Sequence, residues 1–119
     1  MRRTIFTLIM LCFVTLTLQA QDVWTAAGSS TIFGSDWDEK DTSNDLTDKG
    51  DGIWELTKTD CILEQNVKNE LKILKNHSWF IEVHPEKDNY VFKVEETGTY
   101  SVTIQFNANN FEINVKTTK

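Results

Sequence analysis

The chain has 119 residues, with 12 basic against 18 acidic side chains and a formal net charge of −6. That length fits one domain. The acidic balance argues against nucleic acid and against anionic membrane surfaces, both of which call for basic patches, and it leaves neutral ligands open.

The chain begins MRRTIFTLIMLCFVTLTLQAQD. Arg2 and Arg3 precede an apolar stretch from Ile5 to Leu18, and Ala20 offers a small residue for a cut. This is the layout of a secretory signal peptide over 1–20, and the run falls short of the roughly 20 apolar residues of a comfortable membrane span. Cys12 lacks the small residues that precede a lipidated cysteine. The expected product, 21–119, is an exported protein, periplasmic or associated with the outer surface, with no membrane span. It loses two arginines with the leader and carries a net charge of −8. Cys61 is then its one cysteine, so no internal disulfide supports the domain. In TDCILE a buried thiol is expected.

VWTAAG reads as a first strand, with the side taken by Trp24 open. Residues 34–52, GSDWDEKDTSNDLTDKGDG, read as a long loop in which Trp37 tucks back onto the fold. Its aspartates at 36, 38, 41, 45, 48 and 51 do not follow the spacing of a calcium-binding helix–loop–helix. Turn formation accounts for them, and no metal or cofactor is expected. GIWELTK alternates with period two and points Trp54 and Leu56 inward. LEQNVKNELKIL places Leu63, Val67, Leu71 and Leu74 at helical spacing, enough for one turn, while ELKILK alternates with Leu71 and Ile73 inward.

NYVFKV aligns Tyr90, Phe92 and Val94 on one face. TYSVTIQFN aligns Tyr100, Val102, Ile104 and Phe106, and NFEINVK aligns Phe111, Ile113 and Val115. NANN should join the last two runs as an antiparallel hairpin, the final strand ending near Lys116 and TTK fraying. Short strands with one apolar face each must stack in pairs to hide those faces. The expected fold is all-β, a two-sheet antiparallel immunoglobulin-like sandwich over 21–119.

The chemistry-bearing residues gather around LKILKNHSWFIEV. Trp79 follows a turn, and Trp37 sits at a similar strand–loop junction. Sugars stack on indole faces, where their C–H bonds meet the electron-rich ring, and amides and carboxylates then bind the hydroxyls. Asn76, His77, Asn89 and Glu82 are the nearby polar candidates, and an exposed, coplanar Trp37–Trp79 pair would form such a platform. His77 and His84 sit in no metal-binding spacing and beside no nucleophile motif. A sandwich of this size offers little depth for an enclosed active site, so no catalysis is expected.

The order of these features resembles a known group. The run from VWTAAG through the DW loop, DGIWELT and ELKILKNHSW to TGTYSVTIQFNANNFEINV is similar to the accessory modules at the N-termini of bacterial pullulanases. It is also similar to the carbohydrate-binding modules of outer-membrane starch-binding proteins in Gram-negative glycan-utilisation systems. The matching motifs are Glu70–Trp79 and Gly98–Phe106, within a likeness over 22–116. This resemblance implies an immunoglobulin-like sandwich and affinity for an oligosaccharide of α-glucan type, with Trp79, Asn76 and Trp37 at matching positions. The resembled modules belong to larger or lipid-anchored proteins. The rival reading is a cell-envelope sandwich without sugar affinity, using Trp79 and Phe80 against a protein partner.

Overall fold

The alternating segment 98–107 becomes the strand around which one sheet forms. In the computed structural model, which describes residues 21–119, it is β7 (Gly98–Asn107). The leader expected over 1–20, with Cys12, lies outside the described residues. Before it come β1 (Trp24–Gly28), a one-turn helix α1 (Ser30–Phe33), a 3₁₀ turn (Thr42–Asn44), β2 (Thr47–Gly50), β3 (Ile53–Leu63), β4 (Asn69–Lys75), β5 (Val83–His84) and β6 (Tyr90–Phe92). The last strand, β8, spans Glu112–Thr118.

One sheet runs β1-β4-β5 with β6 also paired to β4, and the other runs β2-β3-β7-β8. Every strand ladder is antiparallel. The fold is therefore the two-sheet β-sandwich expected from the alternation. Among the described residues, no helix is long and apolar enough to cross a membrane.

The inward faces are as expected along β7: Val102, Ile104 and Phe106 are fully buried and Tyr100 nearly so. Leu71 and Ile73 meet them from the other sheet. Trp24 takes the core side of β1, its ring 4.7 Å from that of Phe106. Burying a Phe or Leu side chain contributes roughly 2–3 kcal/mol each, which suits a domain with no disulfide to lean on. Cys61 is buried and free, as expected from the sequence, and burial pushes its thiol pKa above the ordinary value. At the start of β7 the Tyr100 hydroxyl donates to Glu96 O at 2.7 Å. A tyrosine tied to backbone a few residues upstream is the tyrosine corner of immunoglobulin-like sandwiches.

Four local expectations change. The stretch 63–74 forms no helical turn; Leu63 ends β3, Leu71 and Leu74 lie on β4, and Val67 is exposed between them. The period-two signal of β4 wins because strand pairing on both sides buries Leu71 and Ile73 in the core. The loop 34–52 contains the 3₁₀ turn and β2, whose four exposed polar residues carry no apolar signal. Phe111 does not enter the inward row of β8. It has φ 65° in the hairpin turn and is 45% exposed, with its ring stacked on His84 at 4.0 Å and 9°. Finally, β8 continues to Thr118, and Lys119 Nζ reaches Glu96 at 2.8 Å instead of fraying.

At Gly28 there is no room for a side chain between β1 and β4. A Cβ there would lie 2.1 Å from Glu70 O and 2.8 Å from Leu71 Cα, both backbone atoms. Gly28→Ala should therefore force β1 from β4 and lower the unfolding free energy by about 2–3 kcal/mol. Urea or guanidinium titration reads this directly; an unchanged midpoint would contradict the close approach.

Candidate functional site

The site begins with a strand that is covered on both faces. All five residues of β1 are buried. Trp24 and Ala26 belong to the core, but Thr25 and Ala27 point the other way, as does Leu74, the register partner of Thr25. Thr25, Ala27 and Leu74 are nonetheless at most 1% exposed. A second apolar layer must therefore lie on the outward side of β1 and β4.

Two loops run beside β1 and β4. One carries Trp37, whose backbone N–H donates to Gly28 O at 3.0 Å, and returns at Leu46, whose N–H donates to Trp24 O at 2.8 Å. The other follows β4 through Asn76–Ile81 and is closed by Lys75 N–H donating to Glu82 O at 3.0 Å. Where they meet, the indoles of Trp37 and Trp79 stand 6.3 Å apart, inclined at 42°. Both are half-buried. Trp37 and Trp79 do meet, but half-buried and tilted, not as the exposed, coplanar pair named from the sequence as the mark of a sugar platform. Such a contact contributes about 1 kcal/mol beyond area burial. Trp37 has φ 53°, a left-handed conformation that is costly for a bulky residue.

Polar contacts fasten the same two loops. His77 Nε2 lies 2.6 Å from Asp45 Oδ1, joining the second loop to the first. Asn76 and His77 are consecutive residues at positive φ, 53° and 56°, a conformation that Asn and His tolerate better than most. The Asn76 side chain is fully engaged: its Oδ1 accepts from Val23 N–H at 2.9 Å and its Nδ2 donates to Asp22 Oδ1 at 3.2 Å. That amide clamps the N-terminal segment beside β4 and holds the Asp22 carboxyl below its ordinary pKa. Asn89 lies elsewhere, at the far end of β4, with Nδ2 3.4 Å from Glu70 Oε1. Glu82 is occupied by His84 at 2.9 Å.

Beside Trp37 opens a cleft that sequence reasoning missed. It has a volume of about 460 Å³, and Trp37, Ser30, Asp36, Lys68 and Glu70 contribute to its wall. Ile62 and Val67 lie on its rim and are 69% and 46% exposed. The residues come from 29–37 and 62–70, segments joined only by folding. Ser29 makes the join: its N–H donates to Glu70 O and its Oγ accepts from Glu70 N–H, both at 2.9 Å. Asn89 touches Glu70 of this wall through its amide but does not itself line the cleft.

The acidic loop is organised by its own hydrogen bonds. Asp41 accepts from the Ser35 hydroxyl at 2.6 Å, and from the Ser43 hydroxyl and N–H at 2.6 and 3.0 Å. Among the described residues, no group of three or more His, Cys, Asp or Glu side chains is arranged to hold a metal ion. The site offers ring faces, hydroxyls, carboxylates and one ammonium group around open space, a set suited to holding a polar ligand with an apolar face. No family model matches this chain, and no curated protein matches its sequence.

The Ser35 and Ser43 hydrogen bonds, in that order, hold the Asp41 carboxyl below the ordinary carboxylate pKa. A depressed folded value means the contribution to stability is complete above the unfolded value near 3.8 and is lost as pH falls through the folded value. An NMR titration of Asp41 should give a midpoint under 3.8; a midpoint at or above it would show the serine contacts to be absent in solution. Asn76→Ala should cost about 1–2 kcal/mol and speed hydrogen exchange at the Val23 amide. Unchanged exchange there would rule out the clamp.

Proposed function

We propose that this protein is an exported, non-catalytic glycan-binding module that holds an oligosaccharide of α-glucan type against Trp37 and Trp79. The observation that carries the reading is the meeting of these two half-buried indoles, 6.3 Å apart, from loops far apart in sequence. Two rings inclined at 42° suit a sugar chain that curves from one residue to the next. A flat ribbon of sugars would call for coplanar rings. The cleft next to Trp37 supplies hydroxyl, carboxylate and ammonium partners for sugar hydroxyls. The acidic surface suits a neutral ligand, for which Coulomb attraction is irrelevant. The resemblance to pullulanase accessory modules and starch-binding proteins supports the choice of α-glucan and of a periplasmic or outer-surface location.

Binding is passive in this reading. Stacking on each ring contributes about 1 kcal/mol beyond area burial, and the cleft residues orient the chain. Asn76 acts indirectly, by fixing the turn that carries Trp79.

A second reading rests on one specific feature. Phe80 is 96% exposed and Ile81 60% exposed, at the tip of the Trp79 loop. Adjacent exposed apolar side chains mark contact surfaces, and a cell-envelope protein is the partner that fits an exported chain. Phe80 then serves the protein contact while Trp79 supports it from below.

Titration with maltooligosaccharides, followed by tryptophan fluorescence, separates the two. The glycan reading expects a saturable change with a dissociation constant on the order of 10 µM to 1 mM. Trp79→Ala and Trp37→Ala should each weaken binding about tenfold or more, while Phe80→Ser leaves it unchanged. No response to any glycan, with Trp79→Ala equally silent, would leave the protein-contact reading.

A further inference from the structure

The edge strands of the two sheets are not treated alike, and β6, paired only with β4, is just three residues long. At one side of the second sheet, β2 is only four residues long and shifts register between Asp48 and Gly50. The outer side of β1 is bridged at Thr25 by Asp45 and at Trp24 O by the Leu46 N–H. In the first sheet's other direction, β5 is two residues long. Shortness, bulging and covering are the usual ways to blunt a sheet edge.

β8 has none of these. It pairs with β7 through seven consecutive residue pairs without a register shift, from Asn107–Glu112 to Ser101–Thr118. It contains no proline or glycine, and among the described residues β7 is its one neighbouring strand. Its outward face presents Glu112, Asn114, Lys116 and Thr118, all exposed, while Ile113 is buried and Val115 half-buried. One local group is taken: the Glu112 N–H donates to Asn110 Oδ1 at 3.0 Å. The rest of the edge is a straight ladder of alternate backbone donors and acceptors facing away from β7.

The pattern of charges along this edge is self-complementary. If a second β8 lies antiparallel beside the first with Asn114 opposite Asn114, then Glu112 of each strand faces Lys116 of the other. Ile113 faces Val115 in both directions. Every exposed charge on the strand is then paired with its opposite on the same face, and the half-buried Val115 gains an apolar neighbour. A two-residue slip to centre the pairing on Val115 or on Ile113 loses the match, because Glu112 then meets Thr118 or Asn114. The twofold arrangement closes on itself and continues the β2-β3-β7-β8 sheet into that of the copy.

We propose that β8 is a self-association edge, at which a second copy of this chain adds antiparallel with Glu112 and Lys116 in reciprocal cross-strand pairs. The device is backbone hydrogen bonding for adhesion, as in strand addition, with charge setting register and partner. Lys116, otherwise an edge-protecting residue, then restricts association to the one alignment that neutralises it. A seam of a few residue pairs is smaller than the roughly 1,200 Å² of a stable interface, so the dimer is weak and appears at high concentration. The proposal is independent of the glycan reading, which uses none of the residues of β8.

Sedimentation equilibrium on the purified protein, from about 10 µM to about 1 mM, spans the affinity expected of such a seam. The weight-average mass should climb toward that of a dimer and go no further. Glu112→Lys and Lys116→Glu should each reduce association on the order of tenfold, because opposite charges become like charges at both ends of the seam. Mixing the two variants should restore association, now as a heterodimer, and the double variant should associate like the parent. Both positions are exposed, and a matching circular dichroism spectrum establishes that each variant folds. A monomer at every concentration, growth beyond a dimer, indifference to the single swaps, or failure of the mixture to recover would each overturn the proposal.

Discussion

The architecture turns on β1 being sealed from both sides. A strand with all five residues buried cannot be the rim of a simple two-layer sandwich. Its inner face is used by Trp24 and Ala26 in the common core. Its outer face, with Thr25 and Ala27 beside Leu74 of β4, has to be covered by something other than a sheet. The chain supplies that cover from two loops, and the hydrophobic effect that draws them together also places Trp37 against Trp79. The proposed sugar platform is thus a consequence of packing. Each ring is part buried and part open to solvent.

That origin explains why the polar residues around the pair are divided between two tasks. Asn76 and His77 hold loops to one another and to the N-terminal segment, because a turn at positive φ needs its neighbours to fix it. Ser29 and Glu70 join the strands beneath the cleft, and Glu70 also meets Asn89. The side chains left to orient a ligand are those lining the cleft near Trp37. The opposite sheet is simpler. Its outward face carries Glu55, Thr103, Gln105, Asn114 and Lys116 around a shallow depression, and its long straight edge is β8. The two sheets therefore offer different surfaces, one irregular and aromatic, one flat and polar.

Much of the fold was legible from alternation. Tyr100, Val102, Ile104 and Phe106 could be assigned to the core because period two leaves no other consistent arrangement, and the NANN hairpin followed from the turn residues between two such runs. The pairing of Trp37 with Trp79 was legible only as a supposition from residue type and loop position. Three features were not legible for identifiable reasons. β2 is entirely polar, so no pattern marked it. Phe111 read as an inward residue because it continued the alternation, but the hairpin needed it at positive φ and handed its ring to His84. The cleft wall draws on 29–37 and 62–70, and nothing local in either segment announces the other.

By itself the sequence determined the all-β class, the inward rows of the long strands, the burial of Cys61 and the aromatic character of the loops. Those follow from short-range periodicity and side-chain chemistry, which act within a few residues. Tertiary structure alone decided that the indoles meet at a tilt, that Asn76 uses its amide on the Val23 N–H and the Asp22 carboxylate, and that Asn89 joins Glu70. It also decided that β8 ends a sheet. Each of these depends on which distant segments share a surface, and that is settled by global packing, where one strand's need for cover on both faces outweighs local preference.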